Sequence, residues 1–579
     1  MILKYLTKRE WALFALAAAF IIAQVYLDLR IPEYMSEITY GLQSGTSSEE
    51  IARCGLEMLG CALLSLGCSM CTGYLIANVS SSMSRNIRLK LLDKIQSFSP
   101  EDVDRFSVAS LITRSTNDIT QVQQFVARAL QTVVRSPIMA VWAIAKISGS
   151  AWEWTFVTAL AVVIMMTVIM LVIWRSMKYY ERIQKHIDTV NRDTRESITG
   201  VRVIRAYNAD EFQMRKFSEA SELLLKDNLS VLRIMFPMFT ITSVLTNFLT
   251  MAIYWIGATL IAKEGDVEAQ MILFSDMIVF SSYAIQVLRA FMMMTEIIRA
   301  YPRASISAKR IEEVLDSEPR IKGGSSEGGK DGGTIEFRDV SFGYPGSNVQ
   351  TIKNISFGVG KGQTLAIIGP TGCGKSTVAK LMQRIYDADS GQILIDGTDV
   401  RDYSREALAS RFSYVPQSTV IFTGTVRDNV NYGDTAPDRS DDDVWRALET
   451  AQATGFVRRM SDGLDSQVSQ RGKNLSGGQR QRIAIARAVC RRAEICILDD
   501  SFSALDFKTD KDLRAALRKE MAGSTVVIVA QRIGTIMDAD VIVVMEEGRV
   551  QGIGTHGELM ENCPLYREIA VSQMTEGTL

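Results

Sequence analysis

A backbone can cross a bilayer only if its amide groups are satisfied within the chain, which in a helix takes about 20 mostly apolar residues. Six stretches in the first half of this 579-residue chain meet or approach that condition, at residues 11–29, 55–79, 136–152, 155–174, 235–262 and 271–298. The third is short and carries Lys146, so it is the weakest of the six. Hydrophobic residues form 47% of the chain, an ordinary share, but they crowd the first half and thin out after about Arg320. The basic residues Lys4, Lys8 and Arg9 precede a long apolar run with no small-residue cleavage site, which reads as an uncleaved first span. A net charge of −1 argues against nucleic acid as a partner.

Basic residues set the orientation. Arg85, Arg88, Lys90, Lys94, Arg105 and Arg114 lie between spans two and three, and Lys178, Arg182, Lys185, Arg192, Arg195, Arg202 and Arg205 between spans four and five. The other connections are acidic or short, so both termini and these two segments belong on the cytosolic side. Ile87, Leu91 and Ile95, and again Ile198, Val201 and Ile204, recur at helical spacing. Spans two to five therefore extend past the bilayer as cytosolic helices, with residues 98–106 and 206–217 as short turns or helices that touch a soluble domain. Cys54, Cys61, Cys68 and Cys71 share one helical face and read as small packing residues. Asp276, inside span six, either lines or gates a cavity or pairs with another helix through a residue such as Lys146. The methionines at 165, 166, 170 and 292–294 suit gap-filling against lipid or a pliable cavity.

Residues 321–333 are rich in Gly, Ser and charge and read as a linker between a membrane domain (1–320) and a second domain (334–579). In that second domain short β-rich runs alternate with helical stretches, the pattern of an α/β fold. The run Thr364–Ile368 leads into Gly369-Pro370-Thr371-Gly372-Cys373-Gly374-Lys375-Ser376-Thr377, which opens a helix. Such a loop lets successive backbone N–H groups curl round phosphates. Lys375 reaches the β- and γ-phosphates of ATP, and the Ser376 hydroxyl binds Mg²⁺. A second apolar strand, Ile495–Leu498, ends in Asp499 and Asp500. The first acid suits Mg²⁺ held through water, and the second suits the attacking water. Leu475-Ser476-Gly477-Gly478-Gln479 opens another helix and offers a second anion site. One nucleotide does not need two such sites in one chain, so this loop is expected to cap the γ-phosphate held by a second ATP-binding domain.

Together these motifs resemble an ABC transporter half-molecule of the exporter type, over nearly the whole chain. The resemblance implies a multi-domain membrane protein: an all-α six-helix transmembrane domain with long cytosolic extensions, then an α/β P-loop ATPase domain. A compact half-transporter with no targeting segment suggests a bacterial cytoplasmic membrane, with the ATP-binding domain in the cytosol. Tyr344, in Ser341-Phe-Gly-Tyr-Pro345, matches the family's adenine-stacking aromatic, and Gly369–Thr377 matches its Walker A loop. Gln417, in Tyr414-Val-Pro-Gln, matches the Q-loop ligand of Mg²⁺, and Asp499 the Walker B acid. Leu475–Gln479 matches the signature motif, and Ser503-Ala504-Leu505-Asp506 the D-loop.

Two positions depart from the family. The base that follows the Walker B acid is usually Glu and is Asp500 here; the switch histidine is replaced by Gln531, in Ala530-Gln531-Arg532. The chain has 2 His, at His186 and His556, and neither is near. Asp is one methylene short, and an error of roughly 1 Å can cost about 10²-fold in rate. Gln531 has no titratable proton. The expectation is a heterodimer in which this chain supplies a degenerate ATP site and an intact signature to a second half-transporter. A homodimer using Asp500 as base remains the other arrangement. The expected cargo is hydrophobic or amphiphilic, of the multidrug kind. Lipid flipping and siderophore-type import on the same fold are alternatives, and an ATP-gated channel is a more distant one.

Overall fold

The computed structural model describes residues 2–147, 152–329, 332–347, 349–433, 439–503 and 507–576. Contacts divide the chain into two compact units: Met1–Gln96 with Ala109–Ser317, and Ser97–Val108 with Glu318–Leu579.

The first unit is helical. Its long helices are α1 (Lys8–Ser44) and α2 (Ser48–Gln96); α3 (Pro100–Phe106) and α4 (Val108–Thr113) are short, and α5 (Ile119–Ile147) and α6 (Trp152–Thr199) follow. After the short α7 (Val201–Ala206) come α8 (Asp210–Lys263) and α9 (Val267–Asp316). At 1.5 Å per residue the 49 residues of α2 reach about 74 Å and the 54 of α8 about 81 Å, more than twice the roughly 30 Å of a hydrocarbon core. Ala17, Ile21, Val25, Ile76, Ala143, Trp154, Ile253 and Ala284 form a buried core among the apolar segments.

Among the described residues five helices, α1, α2, α6, α8 and α9, are long and apolar enough to cross a membrane. α5, which carries the third expected span, is not among them, and two of its charged residues pair with α1. Arg135 meets Asp28 of α1 at 3.0 Å, and Asp28 also accepts from Ser65 of α2. Lys146 meets Glu33 of α1 at 2.6 Å. Lys146 is therefore not the partner of Asp276, whose side chain is exposed and has no partner among the described residues. The end of the expected third span, residues 148–151, lies outside the described residues.

The two amphipathic stretches behave differently. Ile87 and Leu91 are fully buried, whereas Ile198 is 71% and Val201 46% exposed. α6 ends at Thr199 ahead of Gly200, and Ile198, Val201 and Val203 are exposed while Ile204 is half-buried.

The second unit takes in α3, although helices of the membrane unit flank it in sequence. Ser99 caps α3, exchanging bonds with Asp102, and Phe98 stacks on Phe106 at 5.7 Å. The Arg320 amide donates to Asp102 at 3.3 Å, and the Arg320 side chain pairs with Glu101.

Its strands are β1 (Ile335–Phe342), β2 (Ile352–Val359), β3 (Thr364–Ile368), β4 (Ser390–Ile395), β5 (Thr398–Asp399) and β6 (Phe412–Val415). Beyond these come β7 (Gly424–Thr425), β8 (Gln467–Val468), β9 (Ile495–Asp499), β10 (Thr525–Val529), β11 (Val541–Glu546) and β12 (Arg549–Gly554). A six-stranded sheet has the order β12-β11-β3-β10-β9-β6, parallel except for β12, and a four-stranded antiparallel sheet has the order β2-β1-β4-β5. Alternate residues of the parallel strands feed two cores. Leu365, Ile367, Ile497 and Val527 join the core shared with β1 and β2. Ala366, Ile368, Leu498 and Ile528 join the core of the helix Gly477–Arg491. Burial on both faces is why these strands are nearly continuous in apolar residues.

The Gly-rich segment after α9 is docked rather than loose. The Gly324 and Ser326 amides donate to the Tyr403 and Asp402 carbonyls, both at 2.8 Å, and Arg411 reaches the Gly329 carbonyl at 3.1 Å. A Cβ on Gly324 would lie 2.0 Å from the Asp402 carbonyl oxygen; one on Gly328, where φ is +90°, would lie 2.2 Å from the Tyr403 ring. These glycines allow close approach. Gly328→Ala should cost about 1–3 kcal/mol in denaturant unfolding of this unit. Gly323→Ala, whose Cβ meets nothing closer than 3.6 Å, should stay within about 0.5 kcal/mol.

Candidate functional site

The register of the parallel sheet assembles the site. Val529 of β10 pairs with Asp499 of β9, and the Asp500 amide donates to the Val529 carbonyl at 2.9 Å. β3 and β10 are paired as well, Ile367 opposite Val529. The carboxyl ends of β3, β6, β9 and β10 thus carry, side by side, the phosphate loop, Gln417, the two aspartates and Gln531. Ligands of open α/β sheets bind along this edge.

The loop Gly369–Gly374 turns into the helix Lys375–Met382 through Gly374, where φ is +103° and a Cβ would sit 2.6 Å from the Ile352 side chain. Lys375 is 8% exposed, and its ammonium donates to the Gly369 and Pro370 carbonyls at 2.7 and 2.8 Å. Cys373 is buried beside it, 3.7 Å from the ammonium. The Ser376 hydroxyl donates to Asp499 Oδ1 at 2.9 Å, and the Tyr414 phenol reaches Asp499 Oδ2 at 3.4 Å. The Tyr344 and Thr377 hydroxyls bond at 3.0 Å, and the Tyr344 ring packs edge-on to Phe342 and Tyr386.

Burial pushes the Asp499 carboxyl above its ordinary range, against the pull of the Ser376 hydroxyl. Burial and the neighbouring Asp499 push the Tyr414 phenol up too. A hydroxyl, a desolvated carboxylate and a nearby amide are hard oxygen donors, a set that suits a small divalent cation.

Asp500 sits at φ +49°, a conformation uncommon for a residue with a side chain. One carboxylate oxygen, Oδ2, accepts from two amides: Gln417 Nε2 and Gln531 Nε2, each at 3.2 Å. The carboxylate is thus tied to the two groups on either side of it. Ser503 donates to the Asp500 carbonyl at 3.0 Å. Ala504, Leu505 and Asp506 lie outside the described residues.

Leu475–Gln479 stands apart. Ser476 caps the helix Gly477–Arg491 and exchanges bonds with Gln479, while Arg480 donates to the Leu475 carbonyl at 2.8 Å. Ser476 and Gly477 are exposed, and among the described residues no hydrogen bond links this loop to the phosphate loop or the two aspartates. Tyr414 shows in the sequence only as part of the Tyr-Val-Pro-Gln run, and its contact with Asp499 arises from the pairing of β6 with β9.

Residues 14–291 match the ABC transporter transmembrane region, and residues 352–503 match the ABC transporter model. An uncharacterised ABC transporter ATP-binding protein of Mycobacterium tuberculosis (strain CDC 1551 / Oshkosh) is 36% identical over 559 residues, 95% of this chain and 94% of that one. The chain belongs to the ABC transporter family. An ATP-dependent lipid A-core flippase of Aromatoleum aromaticum is 32% identical over 505 residues, covering 87% of this chain and 82% of its own. The structure of a bacterial Atm1-family ABC exporter with ATP bound shares the fold, with a TM-score of 0.80 at 21% identity over 97% of this chain and 98% of that one. This transporter is a multi-pass membrane protein on the exporter fold, with a cytosolic ATPase domain coupled to transport, and such halves function as dimers.

The desolvated Asp499 yields a prediction. An acid whose folded-state pKa is raised destabilises the fold as pH climbs from its unfolded value through the raised one, so at pH 7 the penalty is present. Asp499→Asn should therefore raise the nucleotide-free unfolding temperature of the ATPase unit at pH 7 and abolish the further rise with ATP and Mg²⁺. Thermal scans with and without nucleotide check both effects.

Proposed function

We propose that this chain is the degenerate-site half of an ATP-driven exporter of hydrophobic or amphiphilic molecules, paired with a second, non-identical half. The observation that carries this reading is the double amide hold on Asp500. An orienting base must offer a carboxylate oxygen to a water, and of the two on Asp500 one, Oδ2, is engaged by both Gln417 and Gln531, which constrains how the other can be presented. Gln531 supplies a neutral amide where the family carries histidine. The carboxylate of Asp500 is also held one methylene closer to its backbone than a glutamate's would be.

In this reading Tyr344 stacks on the adenine, while the backbone of Gly369–Thr377 and Lys375 take the phosphates. Ser376 and Gln417 directly, and Asp499 through water, are the residues that would hold Mg²⁺, which when bound neutralises phosphate charge. The Ser476–Gly478 loop, exposed at Ser476 and Gly477, serves the ATP held by the partner half, and the partner's loop serves this one. Because both nucleotides are contacted across the interface only when the ATPase domains close, ATP favours the closed pair by differential affinity. Hydrolysis at the partner's Walker site then reopens it. Asp276, charged and without a described partner in an apolar span, is assigned to the transport pathway.

The flippase names of relatives about one-third identical favour a second reading, in which the cargo is a membrane lipid. Proteoliposomes holding the assembled pair separate the two. ATP-dependent movement of a fluorescent lipid between leaflets, without efflux of hydrophobic dyes, selects the lipid; dye efflux without lipid movement selects the small amphiphile.

Restoring the family residues tests the degenerate site. Asp500→Glu with Gln531→His should raise ATP turnover of the purified chain by about 10²-fold. No rise would contradict the reading.

A further inference from the structure

The segment after β10 carries Gln531, and its backbone is held from two sides. Upstream, the Ala530 amide donates to the Ile367 carbonyl of β3 at 3.1 Å. Downstream the hold comes from the far end of the chain. Gln573, in the helix Pro564–Glu576, donates through Nε2 to the Gln531 carbonyl and accepts through Oε1 from the Ile533 amide, each at 2.8 Å.

One primary amide thus grips two consecutive peptide groups. The first of these bonds fixes the peptide plane that leaves Gln531, and so fixes the direction in which the residue's backbone presents its side chain. That side chain makes the 3.2 Å bond to Asp500. The helix carrying Gln573 is a firm base for the grip. Tyr566 and Ala570 are fully buried in the same core as Ile533 and Ile536, and the Tyr566 hydroxyl bonds His556 Nδ1 at 2.7 Å. Ala570 and Gln573 are three residues apart and so lie on one face of the helix.

We propose that Gln573 is a positioning residue for ATP hydrolysis: it sets where the side chain at 531 meets the residue at 500, and so couples the C-terminal helix to the hydrolytic geometry. The proposal rests on the reading that positions 500 and 531 flank the attacking water. Partners that hold a functional group in place commonly matter by 10- to 100-fold without touching the reacting atoms. Gln573 touches neither nucleotide nor water in this scheme, so its loss should act on kcat alone.

The test uses the full-length chain carrying Asp500→Glu and Gln531→His, in which turnover is raised. Gln573→Met keeps the side chain's length and packing and removes both bonds. It should lower kcat roughly tenfold and leave KM for ATP within about twofold, a split that a general loss of stability would not produce. Gln573→Glu keeps the acceptor for the Ile533 amide and loses the donor, so its kcat should fall between those of the parent and Gln573→Met. In the otherwise unaltered chain, hydrogen exchange of the peptide covering 530–533 should speed up on Gln573→Met whether or not that chain turns over. Parental kcat in Gln573→Met, or unchanged exchange, overturns the proposal. A double variant with no gain in turnover speaks against the degenerate site instead, and the exchange result still judges Gln573.

Discussion

The pairing of β10 with β9 and β3 is the constraint on which the rest of the ATPase unit depends. Because parallel strands run in register, residues distant in sequence arrive at one edge: the phosphate loop after Ile368, the acids after Leu498 and the switch segment after Val529. The strands hold that register because alternate side chains fill two separate cores, and a slip of one residue would exchange the faces of every strand. The 2.9 Å bond from the Asp500 amide to the Val529 carbonyl extends the pairing one residue beyond the strand. That bond places the side chain of Asp500 within reach of both Gln417 and Gln531.

In the membrane unit the corresponding constraint is the absence of water. Charges drawn away from water gain by finding each other, as Arg135 of α5 does with Asp28 of α1, and the more exposed Lys146 of α5 pairs with Glu33 of α1. These links hold α5 against α1 with a specificity that apolar packing in lipid does not supply. Asp276 stands outside this pattern, which is what separates it from the charges that serve as interhelical ties.

The ATP-site motifs were legible in the sequence because each is local: a strand, a turn and a helix start within about ten residues. The contacts among them were not. That the Asp500 carboxylate is shared by Gln417 and Gln531 follows from strand order, and Gln573 carries no local signal at all, lying 42 residues beyond Gln531. The third span looked weak because it is short and carries Lys146, and Glu33, which compensates Lys146, belongs to another helix. Glycine in 321–333 suggested slack because close approach to Tyr403 and Asp402 leaves the same composition as a free linker. Periodicity at 198–204 marked an apolar face but could not say how far the chain covers it, and Ile198, Val201 and Val203 are left exposed.

The central claim is that the amide-held Asp500 leaves this chain's own Walker site slow, so that turnover depends on a second half. The direct measurement is ATP turnover by the purified chain alone and by the same chain co-purified with a candidate partner that carries Glu and His at the matching positions. The account predicts negligible turnover alone and recovery in the pair. Robust turnover by the chain alone, abolished by Asp500→Asn, would contradict it and make Asp500 a working base in a homodimer.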